Sequence, residues 1–194
     1  MFVLKLLFLP AFFLVGVTAS VQEPTETSDE AFNVDSVHST AIFRAHHLGA
    51  GMFYGRFNDV TGTVDIVDSL PTFDISIDIN SVDTSNEKLD GHLKSPDFFN
   101  AVEFPAMIFK SKSAKKIGDE IYEVVGEITI HGVTKPLTVR MAKTGQVTNR
   151  RGEMVGYETE FTITRSEFGM VYGIEGGALS DEIKVIVALE AGRK

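Results

Sequence analysis

The five histidines are the side chains of this 194-residue chain that could most readily bind a metal or move a proton. A zinc site needs a close pair of ligands on one face of the fold and at least one further ligand. His46 and His47 are neighbours in a strand-like segment, so their side chains should point to opposite faces. His38, His92 and His131 are far apart, and no His-x-His or His-x-x-x-His spacing occurs. We therefore predict no metal site and interpret the histidines as surface or structural residues, with His47 as a candidate cavity-lining residue.

No other pattern of residues predicts catalysis. A nucleophilic site requires a Ser or Cys beside a base, and the chain has neither a cysteine nor a Gly-x-Ser-x-Gly motif. Asp181 and Glu182 are adjacent carboxylates that should diverge on a strand. The glycine-rich residues 173–177 lack the following helix and lysine of a phosphate-binding loop. We predict that the protein is not an enzyme.

Apolar binding is the chemistry that the remaining residue types favour, because the chain has fifteen phenylalanines and no tryptophan. The phenylalanines that we predict to face inward are Phe43, Phe53, Phe57, Phe73, Phe109, Phe161 and Phe168. Small residues, Ala41, Ala45 and Gly126, alternate with them on the same rows. A small barrel can be packed with side chains or can hold one small ligand. We predict an elongated apolar tunnel for a long, thin lipid, with a packed core as the alternative.

The elements that must position these side chains are mainly β-strands. Phe73, Ile75, Ile77 and Ile79 alternate with polar residues, and this period of two is hard to obtain from a helix. The strands predicted from such rows cover residues 39–48, 56–68, 72–80, 105–116, 120–131, 136–148, 153–165 and 182–191, with 32–35 as a possible edge piece. Long strands with short connections favour an all-β, eight-stranded antiparallel up-and-down barrel over a sandwich.

The hairpin at residues 127–139 illustrates the strand pattern. Ile128 and Ile130 share one face, and the apolar row resumes after a turn centred on Gly132. Pro136 marks where ladder pairing restarts.

A helical insert interrupts the strands at residues 86–100. Thr84 and Glu87 have the spacing of a capping box, which would open a short helix that runs through Leu93. Pro96 suits a second helical turn carrying Phe98 and Phe99. We expect this insert to lie across one end of the barrel.

The first residues have the features of an export signal. Lys5 precedes an apolar stretch at residues 6–17, and Val17-Thr18-Ala19 resembles a cleavage site of small residues. We predict a cleaved signal peptide at residues 1–19, a flexible leader at 20–31 and one barrel domain at 32–191, with an uncleaved anchor as the alternative. The signal predicts that the protein is periplasmic or secreted. Its fold cannot depend on disulfides, because the chain has no cysteine. The net charge of −9 argues against binding to nucleic acid.

An ordered set of motifs along the chain matches a known family. The matching pieces are Asp35-Ser-Val-His38-Ser39 with Phe43, His47-Leu48-Gly49, Phe57 near Gly62, Ser81-Val-Asp-Thr84 through Glu87 to His92-Leu93, Asp97-Phe98-Phe99, Phe104-Pro105, Phe109-Lys-Ser111, Gly126-Glu-Ile-Thr-Ile-His-Gly132-Val-Thr-Lys-Pro136, Arg165, Phe168-Gly169 and Asp181-Glu182. On these motifs the chain resembles the YceI-like family, the lipocalin-like, polyisoprenoid-binding proteins of bacteria.

The resemblance implies a lipocalin-like barrel with a helical insert, which binds an isoprenoid lipid, either a quinone or a polyprenyl phosphate. No cofactor other than this bound lipid is predicted. Transient contact with a membrane or with membrane electron-transfer proteins is expected, and a homodimer is left open. Together with the apolar rows, it predicts ligand contacts from Phe43, His47, Phe53, Phe57, Phe73, Ile75, Ile77, Phe98, Phe99, Phe109, Ile128, Phe161, Arg165 and Phe168. The candidates for a headgroup contact are Arg44, His47, Arg56 and Arg165.

Three rival functions remain at this point. An outer-membrane barrel would also alternate, although the rows opposite the apolar ones carry acidic residues such as Asp74 and Glu127. An enzyme could act on a lipid bound in the tunnel. A stress-related or interaction protein could have a barrel that is simply packed.

Overall fold

The computed structural model describes residues 30–193, which form eleven β-segments and one α-helix. The strands are β1 (Glu30–Val34), β2 (Thr40–His47), β3 (Gly51–Phe57), β4 (Val60–Val67), β5 (Leu70–Asp78), β6 (Val82–Asp83), β7 (Ala106–Gly118), β8 (Ile121–Ile130), β9 (Val133–Asn149), β10 (Gly152–Thr164) and β11 (Glu182–Arg193). Helix α1 (Glu87–Leu93) lies between β6 and β7. The predicted signal peptide and most of the predicted leader lie outside the described residues.

The segments form a closed, eight-stranded antiparallel barrel, as the sequence predicts. Segments β1 and β2 both pair with β11, at successive positions along it. On their other side, β1 pairs with β4 and β2 pairs with β3. Consecutive segments β1 and β2 therefore act together as one bent strand of the barrel, and β3 and β4 act together as another. Pairing between β1 and β11 closes the barrel.

Two strand predictions differ from the structure. The stretch 32–35, predicted as an edge piece, lies inside the sheet between β4 and β11, where Phe32 is fully buried. The sequence predicts one strand over 56–68, but in the structure β3 begins at Gly51 and ends at Phe57, and β4 begins at Val60. Two glycines, Gly51 and Gly55, weaken the local strand signal there because glycine has a low β-propensity.

One end of the barrel is sealed by large side chains. The hairpins β4–β5, β7–β8 and β9–β10 turn at this end. Below them, Phe32, Tyr122, Phe73 and Tyr157 are buried, and the rings of Phe73 and Tyr157 meet edge to face at 5.2 Å. We call this end the sealed end. The opposite end, which carries α1, is the helix end.

Helix α1 and the turns after it cover the helix end, but the predicted capping box is wrong. Asn86 is the N-cap, and its side chain accepts a hydrogen bond from the Leu89 backbone N at 3.1 Å. The Thr84 hydroxyl donates instead to Asp90 Oδ1 at 2.6 Å. Ser85 has φ of +60°, which directs the chain so that the better cap, Asn86, precedes the first turn.

The insert is anchored through apolar contacts, in the place where the sequence predicts it. The helix ends at Leu93, and turns continue to Glu103. Leu93, Phe98 and Ala101 are buried in the main core cluster. The insert is therefore packed against the barrel, with a shorter regular helix than its predicted span of 86–100.

The β8–β9 hairpin also contributes to the helix end. His131 and Gly132 take φ values of 50° and 73°, which are typical of a two-residue type I′ turn. A Cβ on Gly132 would lie 2.5 Å from Phe104 Cε1, so the turn requires glycine for space as well as for conformation. The His131 ring packs on Phe104, and its Nδ1 lies 3.0 Å from the carbonyl oxygen of Phe168. The hairpin thus joins the insert to the turn after β10.

The outer wall of the barrel carries ion pairs between neighbouring strands. Lys110 Nζ lies 3.0 Å from Asp74 Oδ2, and Lys112 Nζ lies 2.6 Å from Glu127 Oε1. Lys184 pairs with Glu160 in the same way. The outward rows are therefore polar where the inward rows are apolar. Within residues 30–193, no helix is both long enough and apolar enough to cross a membrane.

Candidate ligand-binding cavity

The barrel encloses a cavity of about 500 Å³ that extends from the sealed end to the helix end. Strands β2, β3, β5 and β7 to β11 contribute residues to it, and α1, the turns after α1, Arg165 and the segment 169–181 contribute the rest. Most of the lining side chains are aliphatic or aromatic. The lining residues that carry a polar side-chain atom are His47, His92, Thr159, Arg165 and Tyr172. This volume lies within the range of small-molecule sites, about 300–1,000 Å³.

The residues predicted to contact a ligand lie together on this cavity, with one exception. The predicted residues that line it are Phe43, His47, Phe53, Phe57, Phe73, Ile75, Ile77, Phe98, Phe99, Phe109, Ile128, Phe161 and Arg165. Phe168 is buried outside the lining, in a second apolar cluster with Ile128, Ile130 and Met170. It follows the end of β10 in a short 3₁₀ turn, where the alternation of the strand no longer sets its direction. Contact between these residues and a ligand stays a prediction.

Two glycines determine how the aromatic rings sit in the cavity. Phe109 lies over Gly126 of the paired strand, where a Cβ would be 2.8 Å from Phe109 Cζ. Phe43 lies over Gly55 in the same way, at 2.7 Å from Cε1. The sequence suggests that Gly126, as a small residue on an inward row, widens the slot. In the structure its missing side chain makes room for the ring of Phe109 instead.

Arg165 lines the cavity, but its guanidinium is occupied by the protein itself. Its Nε donates to the Ser180 carbonyl and its Nη1 to the Met170 carbonyl, both at 2.9 Å. Its Nη2 donates to the carbonyl of Leu179 at 3.4 Å. Burial lowers the pKa of the Arg165 guanidinium from its usual value, and the charge of Asp181 opposes this shift. Arg165 therefore holds the segment 169–181 against the barrel.

The other predicted headgroup cations lie on the outer face of the barrel. Arg56 is more than half exposed and lies 3.9 Å from Asp83 Oδ2. Arg44 lines a shallow outer recess with Tyr54 and Lys184. Both alternate with inward phenylalanines, so strand geometry directs them away from the cavity. Neither Arg44 nor Arg56 lines the cavity, and a headgroup contact from either of them stays a prediction.

The cavity opens at the helix end, where its exposed lining residues are found. His47 is exposed, Tyr172 is 47% exposed, and the side chain of His92 is 35% exposed. The rings of His92 and Tyr172 meet edge to face at 4.9 Å, and Phe98 packs on both. His47 bridges to Leu179, in the segment that carries Tyr172. We define His47, His92 and Tyr172 as the mouth of the cavity.

Sequence reasoning missed most of the lining at the mouth. The missed residues there are Leu89, His92, Leu93, Met170, Tyr172, Ala178 and Leu179. They lie on the insert and in the glycine-rich segment, which have no periodicity of two. His92 belongs to a motif shared with the family, and that was the signal that could have identified it. For Tyr172 the sequence carries no comparable signal.

Asp181 fastens the base of the same segment. Its Oδ1 accepts from the Ser166 backbone N at 2.8 Å, and its Oδ2 accepts from the Ser166 hydroxyl at 2.6 Å. The side-chain hydrogen bond from Ser166 is the main reason that the pKa of Asp181 lies below its usual value. Both carboxylate oxygens of Asp181 are therefore engaged by Ser166.

A group of three ionisable residues lies away from the cavity. One ligand atom each from Asp35, His38 and Glu190 lies within 4.8 Å of the others. His38 Nδ1 is already bonded to Asp35 Oδ2 at 2.9 Å, and this hydrogen bond raises the pKa of His38 and lowers that of Asp35. His38 is half exposed. We interpret the group as a surface charge cluster that joins the turn between β1 and β2 to β11, and the predicted lack of a metal site stays a prediction.

A closed antiparallel barrel around an apolar cavity with one open end defines a protein of the small-molecule-binding barrel class. Within this class the chain belongs to the YceI-like family, since the model of the YceI-like domain matches residues 32–191.

Individual relatives agree with this assignment. The chain is 36% identical over 157 residues to Protein YceI of Salmonella arizonae. The aligned region covers 79% of this chain and 81% of the relative, and the same values hold for Protein YceI of Salmonella paratyphi B. The crystal structure of the Campylobacter jejuni YCEI protein matches with a TM-score of 0.65 and 30% identity, over 72% of this chain and 84% of that one.

Two more distant structures share the fold. Burkholderia cenocepacia BcnA matches with a TM-score of 0.73 at 20% identity, over 81% of this chain and 98% of that chain. A Saccharophagus degradans domain, described as a polyisoprenoid binding domain implicated in plant cell wall breakdown, matches with a TM-score of 0.69 at 15% identity, over 85% of this chain and 99% of that one.

Proposed function

We propose that this protein binds the tail of an isoprenoid lipid, of a quinone or polyprenyl type, in the barrel cavity and carries or stores it outside the cytoplasm. The observation that carries the proposal is the cavity itself: it is about 500 Å³ in volume, closed at one end and lined mainly by apolar side chains. A long hydrocarbon chain fits such a site because it needs few polar partners and can enter end-on.

The energy for binding would come from removing the tail from water. Each 100 Å² of apolar surface that is buried contributes about 2.5 kcal/mol. Aromatic residues such as Phe43, Phe99, Phe109 and Phe161 supply much of the wall. A ligand that fills this wall therefore gains affinity without any ion pair.

Family membership supports the same class of ligand. The Saccharophagus degradans domain that shares the fold is described as binding polyisoprenoid. Because that domain is only 15% identical to this chain, its match supports the architecture alone. The choice of an isoprenoid therefore rests on the family together with the shape and polarity of the cavity.

Export is the second part of the proposal. The apolar N-terminal stretch followed by small residues has the features of a cleaved signal, and a periplasmic protein could exchange lipid with a membrane. Transient contact with a membrane or with membrane electron-transfer proteins would then load and unload the barrel. A homodimer stays a prediction.

Binding fits the cavity better than catalysis does. The hydroxyl of Thr159 donates to the Arg140 carbonyl at 3.0 Å, and the Arg165 guanidinium is bonded to backbone carbonyls. The buried polar groups of the lining are thus committed to the protein's own backbone. A reaction would need such groups to face the bound molecule.

Native mass spectrometry of the protein purified from its own host, followed by organic extraction, tests this function. We expect a co-purifying prenyl lipid. The variant Ala45→Trp, which places a large ring on a lining position, should remove it, whereas His46→Trp on the neighbouring, outward position should retain it. Circular dichroism would check that both variants fold. A protein that is empty as isolated and also ignores added prenylquinone and prenyl phosphate would contradict the proposal.

A further inference from the structure

The headgroup of the ligand can be narrowed by following each polar group on the cavity wall. Of the five polar lining residues, Thr159 and Arg165 are bonded to backbone carbonyls. Arg165 is the permanently charged side chain among the described lining residues, and its donors are turned to Ser180, Met170 and Leu179. The interior therefore offers no cation to an anionic headgroup.

The polar groups that remain are those of the mouth. His92 Nε2 lies 2.9 Å from Asp97 Oδ2. A carboxylate only accepts hydrogen bonds, so Nε2 of His92 carries a proton, and Nδ1 is the ring nitrogen that remains for a ligand. Tyr172 lies beside this ring, and its hydroxyl can both donate and accept. Together His92 and Tyr172 can pair with a hydroxyl or a carbonyl group.

The charges at the mouth disfavour a phosphate. Asp97 places a negative charge directly behind His92, and Lys94, which follows α1, does not line the cavity. The whole chain has a net charge of −9. A phosphate drawn into this opening would lose water without gaining a permanently charged partner among the described lining residues, and a partly buried charge without a partner is unfavourable.

We propose that the mouth selects prenyl lipids with an uncharged, oxygen-bearing headgroup, which His92 and Tyr172 bind, and discriminates against prenyl phosphates. This inference rests on the proposed function and makes it narrower. His92 and Tyr172 are then residues that determine specificity, while the cavity behind them supplies the affinity for the tail.

Binding of three probes with identical prenyl tails tests the selection. The probes are a prenylated benzoquinone, the matching prenyl alcohol and the matching prenyl monophosphate, measured with the full chain by native mass spectrometry or by displacement of a fluorescent lipid at pH 7. We expect the quinone and the alcohol to bind at least about 10-fold more tightly than the phosphate, which corresponds to about 1.4 kcal/mol.

Variants at the mouth test the assigned residues. His92→Phe and Tyr172→Phe keep the rings but remove the polar atoms, and each should weaken binding of the uncharged probes about 2- to 10-fold. Binding of a plain prenyl hydrocarbon should not change. The matched controls His46→Phe and Tyr54→Phe alter exposed residues of neighbouring strands that do not line the cavity, and should bind like the parent protein.

The outcomes distinguish a failure of the selection from a failure of the lipid-binding function. If the phosphate binds as tightly as the alcohol, the selection is wrong while the lipid-binding function stands. If His92→Phe and Tyr172→Phe bind the uncharged probes and the hydrocarbon like the parent, the headgroup does not lie at this mouth and the inference fails. If no probe and no hydrocarbon binds, the proposed function itself fails.

Discussion

At the scale of single residues, Arg165 shows how a charged side chain can line a binding cavity without serving the ligand. Its planar guanidinium reaches three carbonyls of the segment 169–181, which has little regular structure of its own. Arginine suits this task because its donors have a fixed fork geometry. The sequence shows a cation near the family motif, but its partners are backbone atoms that only folding brings together.

Removal of Arg165 should destabilise the protein much more than removal of an exposed arginine. Arg165→Ala leaves buried carbonyls without donors, so we expect the free energy of unfolding to fall by about 2–4 kcal/mol. Arg165→Lys should recover only part of this loss, because an ammonium cannot reproduce the planar fork. Urea denaturation measures both. Arg56→Ala, at a surface ion pair, is the control and should cost less than about 1 kcal/mol. Equal losses for Arg165 and Arg56 would contradict the role that we assign to Arg165.

Asp181 should make the stability of the protein depend on pH in the acid range. Its pKa lies below the usual value of 3.8, so the folded state favours the carboxylate. This stabilisation is present above the usual pKa and is lost as the pH falls through the lower, folded value. We expect the difference in free energy of unfolding between the parent and Asp181→Asn to shrink as the pH falls from about 5 to below about 3.

Urea denaturation at several pH values checks this expectation. Ser166→Ala removes the hydroxyl donor but keeps the backbone donor, so it should give a smaller pH dependence than the parent and a larger one than Asp181→Asn. A difference between parent and Asp181→Asn that stays constant over the whole range would show that the hydrogen bonds from Ser166 do not favour the ionised form.

At the scale of elements, the inward rows of the strands combine large rings with glycine. The pairing of Phe109 with Ile128 and of Ser111 with Gly126 sets Gly126 beside the ring, and Phe43 pairs directly with Gly55. The two glycines nevertheless differ in what surrounds them. A Cβ on Gly126 would overlap the carbonyl oxygen of Lys110, whereas at Gly55 the nearest atoms all belong to the Phe43 ring.

Alanine at these two glycines should therefore have unequal costs. Gly126→Ala forces a backbone carbonyl of β7 to move, and we expect a loss of about 1–3 kcal/mol in the free energy of unfolding. Gly55→Ala should cost less, because the Phe43 ring can turn into the cavity. Chemical denaturation of the two variants under identical conditions measures the difference. A larger loss for Gly55→Ala would mean that the Phe43 ring is as fixed as the backbone.

The insert shows where local sequence signals compete. Thr84 and Glu87 have capping-box spacing, yet Asn86 caps α1 and Thr84 is bonded to Asp90. Both arrangements satisfy amides at the start of a helix, and they differ by the backbone conformation of Ser85. The backbone N of Ser85 donates to Asp83 Oδ1 at 2.8 Å, and Asp83 is itself placed by its pairing with Arg56 of β3. The existence of the insert is thus a local property, but its first residue is not.

At the scale of the whole molecule, a cavity of this size implies that a bound lipid should stabilise the fold. A ligand that binds only the native state at 100 times its Kd adds about 2.7 kcal/mol to the free energy of unfolding. For a domain of this size we expect the melting temperature to fall by about 5–10 °C after lipid is extracted. Calorimetry before and after extraction, and after adding prenylquinone back, measures the shift. Ala45→Trp should show almost no shift, and a similar shift in this variant would place the lipid elsewhere.

The architecture of the barrel and the polarity of its two faces follow from alternation in the sequence. A period of two over long segments specifies strands, and a strand with one apolar row must bury that row, so the alternation alone assigns Phe73, Ile75 and Ile77 to the interior. The same rule assigns Phe43, Phe57 and Phe109 correctly, because their direction depends only on position along a strand. It does not apply to Phe168, which lies in a turn and is buried outside the cavity lining.

Which end of the barrel opens, and which polar groups remain for a ligand, depends on tertiary contacts that the sequence pattern does not express. The mouth is formed by His47 on β2, His92 on α1 and Tyr172 in the segment 169–181. These residues are distant in sequence and follow no common period. Whether Arg165 faces a ligand or the backbone depends on where the carbonyls of residues 170, 179 and 180 come to lie. Strand alternation is a local rule that a sequence expresses directly. Contacts between an insert, a loop and a strand end depend on distances that exist only after the barrel has closed.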